Sequence, residues 1–253
     1  MSEHRVVPGP SGYRRDTIGS TARIEATDGP IERAVEQVAD ALNIKPKFRG
    51  WLHAGATPLA LAAGIVLLAL APTAAGKWAC TVYAVTGLLL FGVSAVYHRG
   101  NWSPPVKLLL KRLDHTNIML VIAGTYTPLA WALLEPSKAT LLLWLIWAGA
   151  IAGVGFRVLW PHAPRWLYVP IYCALGLAAL FYLPDFFAAS VPAAVLICAG
   201  GAFYITGAVI YGIKRPNFSA TWFGFHELFH AFTVVAFVCH YIAIMIAVLG
   251  SAG

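Results

Sequence analysis

Seven long hydrophobic stretches, separated by short polar breaks, occupy most of this chain and restrict the folds open to it. A helix needs about 20 mostly apolar residues to cross a bilayer core, and each stretch has roughly that length. The stretches run approximately Trp51–Ala71, Trp78–Tyr97, Leu113–Leu134, Ala139–Leu159, Trp166–Leu183, Val191–Gly212 and Phe223–Leu249. With 59% hydrophobic and 11% charged residues, the sequence predicts an all-α, polytopic membrane protein. Residues 51–250 would form a seven-transmembrane-helix bundle.

The positions of the basic residues predict how this bundle is oriented. All but two of the 18 lysines and arginines lie in the N-terminal segment or in the second, fourth and sixth breaks between stretches. The exceptions, Lys77 and Lys138, fall on the opposite side. Positive residues concentrate in cytoplasmic loops, so we expect the N-terminus to be cytoplasmic and the C-terminus outside. The net charge of +7 then reflects topology, and no nucleic-acid partner is expected.

Residues 1–50 are expected to form a separate cytoplasmic segment. They are polar and contain no signal-peptide core, so the first stretch would serve as an uncleaved insertion signal. The part up to Thr27 is typical of a flexible tail. Apolar residues then recur on one face between Ile31 and Leu42, which predicts a short amphipathic helix. That helix would lie on the inner membrane surface or pack under the bundle.

Gly149 and Gly153 form a G-x-x-x-G pattern in the fourth stretch. Small residues at this spacing permit close approach of two helices in a membrane. The partner helix could belong to the same chain or to a second copy. The pattern therefore raises two alternatives, packing within the bundle and a homo-oligomer.

Ionisable residues from three distant stretches are predicted to lie in one layer of the bundle. The second stretch ends at the cytoplasmic side with Ser94 and His98, and the third begins there with Asp114. The seventh also begins there and carries His226 and His230 in its first two turns. Ionisable groups at membrane depth are costly and mark functional sites. We therefore expect a functional site near the cytoplasmic leaflet.

Zinc chemistry would use all of these residues. Three imidazoles with one open position form a ligand set found in catalytic zinc sites, here His98, His226 and His230. Asp114 would accept a proton from the attacking water and later return it. Ser94 precedes His98 by one turn, so its hydroxyl could orient that water or stabilise an oxyanion. The alternatives are hydrogen-bonded histidines, a helix-packing serine and an aspartate that caps the third helix.

The pentapeptide from His226 to His230 also matches the H-E-x-x-H pattern of zinc proteases, with Glu227 as general base. Such an enzyme normally takes its third ligand from a later segment, and the chain offers only His240 there. That residue would lie about 80° off the His230 face and about 15 Å deeper, which makes it a poor ligand. We expect Glu227 to hydrogen-bond behind the ligands or between helices instead.

Three motifs, in this order, resemble the bacterial hemolysin III family. They are Ser94-Ala-Val-Tyr-His98, the segment from Leu113 to Pro128 that begins Leu-Asp-His-Thr-Asn, and His226-Glu-Leu-Phe-His230. That family belongs with the progestin and adipoQ receptors, which include the adiponectin receptors, and more distantly with the alkaline ceramidases. The resemblance covers about residues 30–250.

The resemblance implies a seven-helix bundle with a cytoplasmic N-terminus and one zinc ion held by His98, His226 and His230. It places Asp114 next to the zinc water and Ser94 nearby. The adiponectin receptors have no glutamate at the position of Glu227, which weakens the protease interpretation. In the ceramidase-like relatives, the corresponding site hydrolyses a lipid amide.

The predicted function is therefore a zinc-dependent hydrolase of lipid amides or esters that serves homeostasis of the inner membrane of the cell. Membrane lipids would be its substrates or ligands. One alternative is a non-enzymatic sensor or receptor with structural zinc, which a metal shell without bound water would favour. Another is a pore-forming, cytolytic protein of the hemolysin type, which would require a continuous polar channel.

Overall fold

The computed structural model describes residues 46–219 and 221–250, and within these ranges it contains only helices, turns and loops. The helices are α1 Trp51–Leu70, α2 Ala74–Arg99, α3 Pro104–Leu133, α4 Pro136–Leu159, α5 Arg165–Leu177, a 3-10 helix Ala178–Tyr182, α6 Leu183–Ala189, α7 Val191–Ile213 and α8 Phe225–Gly250. Seven segments are long and apolar enough to cross a membrane, and Trp166–Ala189 is the fifth of them. The predicted all-α, seven-span fold is confirmed. The amphipathic helix expected between residues 31 and 42 lies outside the described residues.

Helices α2 and α3 begin four and nine residues earlier, respectively, than hydrophobicity predicts. The Thr73 side chain accepts a hydrogen bond from the backbone N–H of Gly76 at 3.0 Å and so starts α2 at Ala74. Helix α3 starts at Pro104, because proline is preorganised for the first turn of a helix. Most of the predicted break between Arg99 and Arg112 is therefore helical. Asp114 lies well inside α3 and does not cap it, which excludes one alternative for this residue.

The fifth span is broken in the middle of its length. We predicted that it ends at Leu183, but the chain continues through α6, where Pro184 occupies the tolerated first turn. Backbone groups at the break are satisfied from α3. The Tyr126 hydroxyl donates to the Gly176 carbonyl and accepts from the Ala179 N–H, each at 2.6 Å. Such partners are what permit an irregular backbone at membrane depth.

Polar contacts fix α2 against its neighbours α3 and α8. The Asn117 amide donates to the Leu89 carbonyl at 2.8 Å and joins α3 to α2. The Tyr83 hydroxyl donates to the Phe237 carbonyl at 3.1 Å, and the two rings stack with centroids 4.8 Å apart. The three helices that carry the predicted site residues are thus held together at defined positions.

The G-x-x-x-G pattern of α4 packs within the chain. A Cβ atom added at Gly153 would collide with the Met119 side chain of α3. One added at Gly149 would lie 2.9 Å from Leu175 of α5. Close packing inside the bundle therefore accounts for both glycines, and a homo-oligomer stays a prediction.

Candidate metal centre

Three histidines from two helices meet at one end of the bundle. His98 lies in the last turn of α2, whereas His226 and His230 occupy the first two turns of α8. One nitrogen of each ring lies within 4.8 Å of the others, and His98 and His230 are buried. Imidazole nitrogens suit zinc, whose tetrahedral sites with bonds of 2.0–2.1 Å need nitrogens about 3.4 Å apart. These residues could hold one such ion after small side-chain adjustments.

The start of α8 is fixed by hydrogen bonds from neighbouring residues. The Phe225 N–H donates to the Asn217 side chain at 3.3 Å, and the Gly224 N–H donates to Oε2 of Glu227 at 2.8 Å. The second contact is the reaching-back arm of a capping box, in which the third residue of a helix satisfies the backbone before it. Since His226 lies between these capped positions, its backbone is held in place.

Asp114 and Ser94 lie beside the histidine cluster. Oδ2 of Asp114 is 3.7 Å from Nε2 of His98. Ser94 is buried one turn before His98 on α2, and it lines the same cavity as Asp114. The structure thus brings together all the residues that were predicted from the sequence to bind metal or to take part in proton transfer. Their roles in catalysis stay predictions.

The Glu227 side chain forms structural contacts and does not belong to the group of candidate metal ligands. Its Oε1 atom accepts from the Arg49 side chain in an ion pair, and its Oε2 atom accepts from the Gly224 N–H. The side chain is only 1% exposed. Both carboxylate oxygens thus bind groups in the segments that precede α1 and α8. The geometry therefore does not support Glu227 as a general base of the protease type.

His240 lies deeper in α8 and outside the cluster. Its Nε2 atom contacts the Ile197 carbonyl of α7 at 3.2 Å. The ring fits against Gly200, where a Cβ atom would lie only 2.6 Å from that nitrogen. His240 therefore packs α8 against α7, as its spacing from His230 suggested.

Two residues next to the cluster, His53 and Arg49, were not predicted from the sequence. His53 on α1 is 2% exposed, and its ring stacks on that of His230 with centroids 3.8 Å apart. A histidine near the start of an apolar span carries the same signal that singled out the other histidines. The contact between His53 and His230 could not be predicted, because hydrophobicity does not tell which face of α1 turns toward α8.

A cavity of about 340 Å³ extends from the histidine cluster into the bundle. Its walls include Ser94, Asp114 and His230, and they also include His240 and Phe186. Most of the remaining wall is aliphatic or aromatic, contributed by α3, the fifth span and α7. An apolar cavity with a few convergent polar groups is typical of a ligand-binding site.

The fold and the site define a multi-pass membrane protein with a buried histidine cluster at the end of an apolar cavity. The chain belongs to the haemolysin-III related family, whose model matches residues 42–241. It is 27% identical over 206 residues to the Hemolysin-3 homolog of Bacillus subtilis (strain 168), covering 79% of this chain and 88% of the relative. It is also 29% identical over 183 residues to Hemolysin-3 of Bacillus cereus, covering 71% and 80%.

Proposed function

We propose that this protein is a zinc-dependent hydrolase that cleaves an amide or ester bond of a membrane lipid. The observation that carries the proposal is the position of Asp114, whose carboxylate lies 3.7 Å from one candidate ligand, His98. Asp114 also lines the same apolar cavity as the other two candidate ligands, His226 and His230. A metal site, a proton acceptor and space for a hydrocarbon chain therefore meet at one point.

His98, His226 and His230 would hold a zinc ion, which would supply activation of water and polarisation of a carbonyl. Asp114 accepts the proton of the attacking water and then donates it to the departing amine or alcohol. Ser94 lines the same cavity, where its hydroxyl would orient the attacking water or stabilise the oxyanion. The apolar walls keep bulk water away from these groups.

The cavity suits a substrate that arrives from the bilayer. Leu180 of the fifth span lines the cavity and is 54% exposed on the outside of the bundle. Cys198 and Ala202 of α7 also line it and are exposed. Because these residues line the cavity and are also exposed, they support a lateral entrance from the bilayer between the fifth span and α7 as part of the proposal. An acyl chain would enter there without crossing water.

The positive-inside pattern supports a cytoplasmic N-terminus, which would put the histidine cluster near the inner leaflet. The two alternative functions make different demands on the cavity. A pore needs a continuous polar path, and the mainly apolar lining gives that function no support. A sensor with structural zinc would use the same histidines but would release no product.

The test is turnover by the purified protein in vesicles that contain a mixture of neutral lipid amides and esters. We expect mass spectrometry to show a free fatty acid from one lipid class, and we expect a chelator to stop its release. Zinc binding without any product would favour the sensor. Product release that continues after complete zinc removal would contradict the proposal.

A further inference from the structure

The segment Lys47–His53, which leads into α1 and is called here the entry segment, contacts the surroundings of all three candidate ligands. None of its residues belongs to the ligand group itself. The segment is also attached to the loop before α8. The Lys47 N–H donates to the Thr221 carbonyl at 3.0 Å, and the Phe48 N–H donates to the Trp222 carbonyl at 3.3 Å.

The first contact is the ion pair between Arg49 and Glu227. Glu227 lies between His226 and His230 on α8 and is almost fully buried, whereas the Arg49 side chain is 21% exposed. A buried carboxylate requires such a partner, because removing it from water without one is strongly unfavourable. The pair therefore fixes the first turn of α8 at a set distance from α1.

The second contact is between Gly50 and His98. Gly50 has a φ of +79°, a conformation that glycine adopts without the steric cost of a side chain. A Cβ atom at this position would lie 2.8 Å from Cβ of His98. Glycine at this position thus allows the backbone of the entry segment to pack directly against His98, one of the three candidate ligands.

The third contact is the stack of His53 on His230. The two rings are nearly parallel, with an interplanar angle of 4° and centroids 3.8 Å apart. The Phe91 ring also contacts His53 in an edge-to-face arrangement, with 5.1 Å between centroids. Neither nitrogen of His53 forms a hydrogen bond of normal geometry. The ring thus acts as a flat surface that restricts rotation of the His230 imidazole.

We propose that Arg49, Gly50 and His53 are positioning residues that hold the three histidines in the geometry required to bind metal. The inference rests on the metal centre of the proposed function, but it does not depend on hydrolysis. Outer partners of metal ligands typically change metal affinity by about 10- to 100-fold when they are removed. The entry segment should have an effect of that size although it supplies no ligand.

His53 is tested by the variants His53→Leu and His53→Phe, with zinc affinity measured by chelator competition. We expect His53→Leu to weaken binding by about 10- to 100-fold, whereas His53→Phe keeps a flat ring and stays near the wild-type affinity. Thermal unfolding of the metal-free proteins shows whether each variant folds. Wild-type affinity in His53→Leu, or equal losses in both folded variants, would overturn the role of the stack.

The ion pair is tested by Arg49→Gln, Glu227→Gln and the double variant. We expect each single change to weaken zinc binding by at least about tenfold, and the double variant to lose little more, because both changes remove one interaction. Lys47→Gln is the matched control, since Lys47 also carries a charge in the entry segment but contacts the Trp222 ring. Additive losses in the double variant, or equal loss in the control, would contradict the coupling.

Gly50→Ala provides an independent check, because it changes no charge and no ring. The added methyl group and the positive φ should displace His98 and lower zinc affinity, whereas Gly55→Ala has open space around it and should not. If wild-type protein binds no zinc, the proposed function fails. If wild-type protein binds zinc and all entry-segment variants bind equally well, only the present inference fails.

Discussion

The Oδ2 atom of Asp114 on α3 lies 3.7 Å from the Nε2 atom of His98 on α2. The Asp114 side chain is thus adjacent to the histidine cluster without belonging to the group of possible ligands. Loss of a ligand and loss of the proton acceptor should therefore have different consequences. Under the proposed function, loss of a ligand should abolish zinc binding, whereas loss of the proton acceptor should abolish turnover and leave zinc binding intact.

Replacing either ligand of α8 should remove the metal. We expect purified wild-type protein to carry about one zinc ion per chain, and His226→Ala and His230→Ala to lose most of it, because two imidazoles do not retain zinc as three do. The measurement is metal content by mass spectrometry after dialysis. His162→Ala, an exposed histidine in the loop after α4, is the control and should keep the metal. Full occupancy in both α8 variants would mean that the site is assigned wrongly.

Asp114→Asn should separate binding from chemistry. The amide has nearly the same shape but cannot accept a proton, so we expect normal zinc content and a fall in lipid turnover of about 10²- to 10⁴-fold. Turnover is measured as fatty acid released from vesicles. Asp185→Asn is the control, since Asp185 pairs with Lys138 at 2.6 Å at the other end of the bundle. Equal turnover in wild type and Asp114→Asn would exclude this carboxylate as the proton acceptor.

The number of spans could be predicted from the sequence because hydrophobic length is a property of each segment alone. Their ends could not, because they depend on local contacts such as the Thr73 cap and the prolines at the start of α3 and α6. Hydrophobicity likewise gave no sign that the fifth span contains a break, which Tyr126 of another helix stabilises.

The candidate site shows the same division. His98 and the two α8 histidines could be assigned to one layer, because charge topology gives every residue a depth. The partners of Glu227 and His230 could not be predicted, since they depend on how α1 and α8 rotate toward each other. The depth of a residue in the membrane follows from one stretch of sequence. The rotation of a helix about its axis depends on packing between stretches that are far apart in the chain. The orientation of the whole bundle stays a prediction.

Blocking the lateral entrance should slow turnover without removing metal. Ala202 of α7 lines the cavity and is exposed, so the indole ring in Ala202→Trp would narrow the gap toward the fifth span. We expect lipid turnover to fall by at least about tenfold, because the narrower gap would slow entry of the acyl chain and prevent it from reaching its proper position beside Asp114. Zinc content should be unchanged. Val209→Trp is the control, because Val209 is 50% exposed on α7 but does not line the cavity. Equal turnover in both variants would show that lipids enter elsewhere.

Gly200→Ala should destabilise the bundle because the added methyl group collides with the His240 ring. The Cβ atom added at position 200 would lie 2.6 Å from Nε2 of His240 and would force that nitrogen away from the Ile197 carbonyl. Overpacking of this kind costs about 1–3 kcal/mol. We expect a lower midpoint of thermal unfolding in detergent and unchanged zinc content, since His240 is not a ligand. Gly201→Ala adds the same methyl group to the next residue, where nothing lies within 4 Å, and should leave the midpoint unchanged or slightly raised. Zinc loss in Gly200→Ala, with Gly201→Ala normal, would show that His240 supports the metal centre after all.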